Sequence, residues 1–476
     1  MAIFGNLRKR LKHSFDNIRN ERLKLNLLQA LPFWVASLLT GLLAVFYAKI
    51  FATVEETSHY IYQNKAWLFV ILTPVCLILA RWVVIRFAPY SRGSGIPQVT
   101  AALDLATPKH NDKINKLLSI PVILVKMISS LVMVLGGAII GREGPTIQIA
   151  GSVFRIVNNW LPKWWPKISK RNMISAGAAA GLAAAFNTPL GGIVFAVEEL
   201  TKTHISYFKT ALFTAVIIAG LTAQGFMGPY LYLGYPNMNN TSGGWMFAAV
   251  ALVAVITGLA GSGMSKLILM LFAWKATFKK SYYHILYLIG CGLIISLLGI
   301  FVSERMLWSG KEIMTTVLFS SNKSVAWYVP LLRLGGPLLC FTTGGAGGIF
   351  APALSAGAAV GAVLSEWLNL SASNTNLLIL CGMVGLLTGV TRTPFTSAIL
   401  VLEMTDRHNV IFYLMLAGML AGIFAAIIDK HSFYDHLKAQ YVRDLTKEPA
   451  IPPDTEVPVV PVPHVTAGED GSEHVK

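Results

Sequence analysis

The chain has 476 residues, 54% of them hydrophobic and only 13% charged, about half the charged share of a soluble domain. Its formal net charge is +16. Several apolar runs approach the ~20 residues that span a bilayer, which excludes a water-soluble enzyme. The basic excess is read as cytoplasmic loops that orient the chain and meet anionic lipid, with no nucleic-acid partner.

Taken in chain order, residues 7–28 are charged and amphipathic, and the first apolar run begins only near Leu31. They read as a cytoplasmic surface helix, with no cleavable signal. Apolar segments then fall near 31–52, 66–87, 119–140, 172–200, 209–230, 245–273, 284–302, 328–341, 349–367, 375–403 and 410–429. The basic clusters at 8–24, 109–116, 163–171 and 275–280 are assigned to the cytoplasmic side. Trp160, Trp164 and Trp165 beside Lys163 and Lys167 read as an interfacial belt. Cys76, Cys291, Cys340 and Cys381 all lie in apolar stretches without a CxxC pair, as small buried hydrophobes do. No metal or cofactor motif is present, and HExxH, Walker A and GxSxG patterns are lacking.

With 41 glycines and 22 prolines, many of these segments are broken. Five breaks share one device, a Pro just inside a helix start: Gly93-Ser94-Gly95-Ile96-Pro97, Gly141 to Pro145, Thr188-Pro189, Gly347 to Pro352, and Thr393-Pro394. Thr188 and Thr393 read as N-caps with Pro at the first helical position. The other three have glycines where a capping side chain would stand, which leaves N–H groups for a ligand. A helix that begins inside the membrane turns those groups, and its positive dipole end, toward an anion. Ser94 can donate to that anion or serve as an ordinary N-cap or turn serine; spacing does not choose. Glu143 stands at such a start straight after an apolar run, where an ionisable residue reads as functional. Arg142 reads as a partner for carboxylate or carbonyl groups at the membrane rim.

The chain also repeats itself. Asn187-Thr188-Pro189 through Glu198-Glu199 aligns with Arg392-Thr393-Pro394 through Glu403-Met404, Gly177 with Gly382, and Gly141 to Pro145 with Gly348 to Pro352. Matching helix breaks in two halves are the pattern of a transporter built around a midplane site. Glu198 has a mate in Glu403 and reads as structural. Glu199 faces Met404, so the fold does not demand a charge there, and it is the better functional candidate. The expected organisation is an N-terminal helix over 1–28, membrane repeats over 29–240 and 241–444, and a disordered Pro-rich tail over 445–476. The sequons at Asn239 and Asn240 have meaning only in a secretory eukaryotic setting, which nothing in the sequence supports.

The motifs GSGIP, GREGP and GGIFAP, in this order, with GLAAAFNTPLGGIVFAVEEL between the second and third, resemble the CLC family of chloride channels and chloride/proton antiporters. The resemblance spans about residues 30–440 and is closest to prokaryotic-type members, because no regulatory pair of soluble domains follows Tyr434. It implies an all-α polytopic membrane protein, a homodimer, in which each subunit has two inverted halves with discontinuous helices meeting at a midplane anion site. It implies that Ser94 coordinates chloride, that the Ile349 and Phe350 amides bind the same ion, and that Tyr434 closes the site. The flanks of Tyr434 depart from the family's commoner pattern, which has a Pro two residues earlier. Glu143 is implied as the external gate and Glu199 as the internal proton group. The implied function is exchange of chloride for protons, with a passive voltage- or pH-gated chloride channel as the alternative. A fluoride exchanger is disfavoured by Ser94, and a membrane enzyme by the lack of a nucleophile–base constellation. The implied location is a bacterial inner membrane.

Overall fold

The computed structural model describes residues 20–201, 209–228, 231–238 and 244–446. Most of the expected N-terminal surface helix, the sequon stretch and the Pro-rich tail lie outside these residues. Residues 21–28 do not form a separate surface helix. They are the first turns of α1 (Glu21–Lys65), which continues without a break through the first apolar run.

The chain continues through α2 (Phe69–Phe87), α3 (Ile96–Asp104), α4 (Ile114–Leu117), α5 (Ile120–Leu135), α6 (Glu143–Trp160), α7 (Lys170–Phe186) and α8 (Pro189–Phe195). A turn of π-helix, Ala196–Thr201, extends α8. Then come α9 (Lys209–Met227), α10 (Trp245–Ala276), α11 (Ser281–Phe301), α12 (Lys311–Phe319), α13 (Val329–Thr343), α14 (Phe350–Trp367), α15 (Ala372–Thr391), α16 (Pro394–Thr405), α17 (Ile411–Ile428) and α18 (Phe433–Thr446). Among the described residues, seven helical stretches are long and apolar enough to cross a bilayer by length and composition. The large hydrophobic side chains exposed on α1, α2, α9 and α11, such as Phe46 and Phe301, are what contact with lipid requires.

The repeat governs the packing. In the first half α6 lies along α7, and in the second α14 lies along α15. The aligned glycines sit at these seams. A Cβ on Gly177 would stand 2.8 Å from the Phe154 ring, and one on Gly382 would stand 2.4 Å from the Gly357 carbonyl. Helix axes approach this closely only over small residues. α7 and α15 also stop alike. Asn187 and Arg392, the residues before Thr-Pro in each half, both take the left-handed conformation, at φ 57° and 62°. Asn tolerates that region readily. Arg392 is held in it by bonds from its guanidinium to the carbonyls of Gly389, Ala425 and Asp429 and to Ser262.

The halves meet backbone to backbone. Gly141 and Gly348 exchange N–H···O=C bonds of 2.8 and 2.7 Å in an antiparallel bridge. Antiparallel pairing of equivalent residues brings the two helix starts to one point from opposite directions, as inverted halves require. A second, parallel bridge joins Gly93 to Ala346. These two bridges pin the three glycine-rich breaks together at the centre of the molecule.

Candidate anion and proton site

α3, α6 and α14 begin at these breaks. Gly95 is the residue before α3 and has φ 113°, a conformation that glycine alone adopts without strain. Gly144 lies against the same turn: a Cβ there would stand 2.4 Å from Ser94 Oγ and 3.3 Å from the Gly348 Cα. The three helix starts therefore touch through bare backbone. The N–H groups of Ile349 and Phe350 make no hydrogen bond among the described residues, as the first amides of a helix need an outside acceptor.

Ser94 is 1% exposed, and its hydroxyl makes no hydrogen bond of normal geometry among the described residues. It does not cap α3. Tyr434, also 1% exposed, stands near the start of α18 with its hydroxyl close to that of Ser94 but, among the described residues, outside hydrogen-bond geometry. Two buried hydroxyls in want of a partner, next to unengaged amides, form a donor set suited to an anion. Lys126 fixes the turn from below: its fully buried ammonium donates to the carbonyls of Ser91 (2.8 Å) and Gly93 (2.7 Å).

Glu143 is 1% exposed, and its carboxylate folds back over Gly141, where a Cβ would stand 2.2 Å from Oε2. Its Oε1 accepts a 3.2 Å bond from the Tyr232 hydroxyl. From Tyr232 a line of aromatic rings runs to the other side of the site. Phe186 lies 5.1 Å from Tyr232, Phe350 lies 6.2 Å from Phe186, and Tyr434 lies 6.3 Å from Phe350. Tyr232 and Lys126 were not assigned from the sequence. Lys126 did carry a signal, as the one Lys within residues 119–140. Tyr232 carried none. Arg142, immediately before α6, is half-buried and interacts electrostatically with Glu143 and Lys311.

Ser94, Glu143, Ile349, Phe350 and Tyr434 are thus brought together, and Glu199 is set apart. It lies in the π-helical turn, buried, in a crevice of about 50 Å³ shared with Thr100, Asp104, Arg171, Asp435 and Lys438. There Lys438 and Asp104 pair at 3.1 Å. A wide turn of this kind often marks a functional position, because it shifts the side-chain register by one residue.

That shift separates the two glutamates. Glu198 Oε1 and Oε2 accept from the N–H groups of Phe395 and Thr396, and Oε2 also from the Thr396 hydroxyl. Glu403 returns the contact and accepts from the N–H groups of Leu190 and Gly191. Each glutamate caps the helix start of the opposite half. This corrects the reading of Thr188 and Thr393 as capping side chains, since neither makes a capping bond. Both take non-helical backbone ahead of Pro, at φ -128°, ψ 82° and φ -119°, ψ 77°, while a carboxylate from the other half satisfies the open amides. The structural reading of the Glu198–Glu403 pair stands, with a definite task.

Comparison with known proteins agrees with this geometry. The chain is 29% identical over 439 residues to proteins named H(+)/Cl(-) exchange transporter ClcA from Salmonella paratyphi B and Salmonella newport, covering 87% of this chain and 88% of each relative. Its fold is similar to the crystal structure of a slow cyanobacterial Cl-/H+ antiporter, with a TM-score of 0.76, 23% identity, and coverage of 87% of this chain and 98% of the other. It is also similar to a CLC-type fluoride/proton antiporter, with a TM-score of 0.73, 19% identity and the same coverage. The family model described as "Voltage gated chloride channel" matches residues 76–426, and the chain belongs to that family.

Proposed function

We infer that the protein is a secondary active transporter that exchanges chloride for protons across a membrane. The observation that carries the anion half is the convergence of three uncapped helix starts with the hydroxyls of Ser94 and Tyr434. The proton half rests on two buried carboxylates, Glu143 over the anion site and Glu199 in a separate polar crevice. The names of the Salmonella relatives support exchange over passive conduction.

In this mechanism ionised Glu143 competes with chloride for the amide-lined site. Protonated, it loses that attraction and swings outward, so one group links proton binding to anion passage. Glu199 passes protons between the cytoplasm and Glu143, while chloride enters past Ser94 and Tyr434. Chloride is the cargo, and no cofactor has a role. Ser94, in the turn before α3, favours chloride over fluoride as that cargo.

The assembly is a homodimer in a bacterial inner membrane. Leu190, Val197 and Phe395, exposed beside the cross-capped helices, and Phe412 and Ile423 on α17 supply the apolar face for a second copy. The test is purified protein in chloride-loaded liposomes diluted into low-chloride buffer. Chloride efflux should drive proton uptake against its gradient. Chloride efflux with no proton movement overturns exchange in favour of a channel.

A further inference from the structure

A cavity of about 370 Å³ lies where the C-terminal ends of α2, α10 and α13 meet the start of α11 and the flank of α18. Four basic side chains line it, Arg81, Arg92, Lys275 and His284, and among the described residues no carboxylate does. Part of this charge has a local use. Lys275 Nζ donates to the carbonyls of Thr342 and Thr343, and Arg81 Nη1 donates to Thr343 at 2.9 Å. These are the last carbonyls of α13, and a helix C-terminus carries only about half a negative charge, less than the Arg81 guanidinium alone brings. Arg92 lies 5.2 Å over the Tyr441 ring and 3.6 Å from Asp444, which stands outside the lining. A positive surplus therefore faces the cavity.

The walls specify the ligand further. Ile85 and Phe272 give one side an apolar surface, and Ile85 is also exposed on the outside of α2 with Trp82 and Phe87. Trp274, Tyr282 and Tyr283 are exposed beside the cavity, next to exposed Lys279 and Lys280. Exposed aromatic residues among lysines mark headgroup depth, on the face assigned to the cytoplasm. The space is far larger than a halide needs. A guanidinium pair with an ammonium recognises the several oxygens of a phosphate.

The geometry points to a phosphate-binding cavity, whose occupant is the phosphate of an anionic phospholipid of the cytoplasmic leaflet or a soluble phosphate monoester. Gly93, the neighbour of Ser94, lines the same cavity. On the transport reading above, an occupant therefore borders the inner approach to the anion site. Binding itself does not depend on that reading.

The test uses the full chain in mixed micelles. Photoactivatable phosphatidylglycerol should label residues 81–93 and 272–284 in preference to other lipid-facing segments. Replacing Arg92 and His284 together by Gln, groups that cap no helix, should cut labelling there about tenfold, the effect of losing one charge-assisted bond. Lys116→Gln, an exposed basic residue elsewhere, should leave it unchanged. Pyrophosphate and AMP form the second arm. If either raises the melting temperature and displaces the lipid probe, the occupant is soluble; if labelling persists, it is the lipid. Labelling without preference for these segments, together with no effect of pyrophosphate or AMP on melting, overturns the proposal. So does a doubly substituted protein that behaves as wild type in both arms.

Discussion

α8 and α16 are one element written twice, and they end differently. α16 runs as regular α-helix from Pro394 to Thr405, past Glu403 and Met404. α8 is regular only to Phe195, and its last turn widens into a π-helix that carries Glu198 and Glu199. The first glutamate keeps the task of its mate and caps the opposite half. The second occupies a position that its mate Met404 fills as packed core. Glu143 has the same history: its counterpart across the bridge is Phe350, a wholly buried ring. Where the halves agree, the residue holds the fold; where one half has a carboxylate opposite an apolar side chain, that carboxylate is the one proposed above for the proton chemistry.

Glu199→Gln should break this contrast most severely. It keeps size and hydrogen bonding but cannot carry a proton. Proton uptake in liposomes is expected to fall by about a hundredfold, the low end of what a positioned proton-transfer group contributes, while chloride still moves. Wild-type proton flux in this variant removes Glu199 from the path. Glu143→Gln should be nearly as severe, mimicking permanent protonation. Chloride flux should persist and lose its dependence on pH, and coupled transport in the variant would contradict the gate.

The conserved side of the comparison predicts matched effects. Glu198→Gln and Glu403→Gln should each cost about 1 kcal/mol, the low end for charge-assisted bonds because both sites are partly exposed. Melting temperature should drop by similar amounts with coupling intact. A drop confined to one of them would mean that the two caps are not equivalent. Ser94→Ala should have the smallest effect, since the amides of Ile349 and Phe350 remain. Chloride should lose a few-fold of its preference over nitrate, as for one hydrogen bond of about 1 kcal/mol. An unchanged preference, measured by flux with each anion, would return Ser94 to a turn role.

The helix breaks and the repeat were legible in the sequence because they are local chemistry: Gly and Pro act on their own backbone, and Glu198 and Glu403 sit at equal distance from Thr-Pro. The source of the caps was not legible. Thr188 and Thr393 are ordinary N-cap residues by type, and the carboxylates that act in their place lie 212 and 198 residues from the Gly191 and Thr396 amides they accept from. Tyr232 escaped for a similar reason, since only the fold brings it to Glu143, 89 residues earlier. The basic cavity draws Arg81, Arg92, Lys275 and His284 from separate segments, of which only Lys275 lies in a visible charge cluster. The continuity of α1 past residue 28 was not legible either, because the segment begins amphipathic and turns apolar, and Pro32, its one helix-breaking residue there, is accommodated.

The reciprocal caps have a consequence for biosynthesis. Phe395 is synthesised 197 residues after Glu198, the carboxylate that receives its N–H. At ~5–20 residues per second, Glu198 waits about 10–40 s for that partner. Over the same interval the open start of α8 lacks the carboxylate of Glu403. Neither half can finish these helix starts alone. The nascent first half must be sheltered, by the insertion machinery or by lipid, until the second arrives, and a split chain should regain its caps only when both pieces are made in the same membrane.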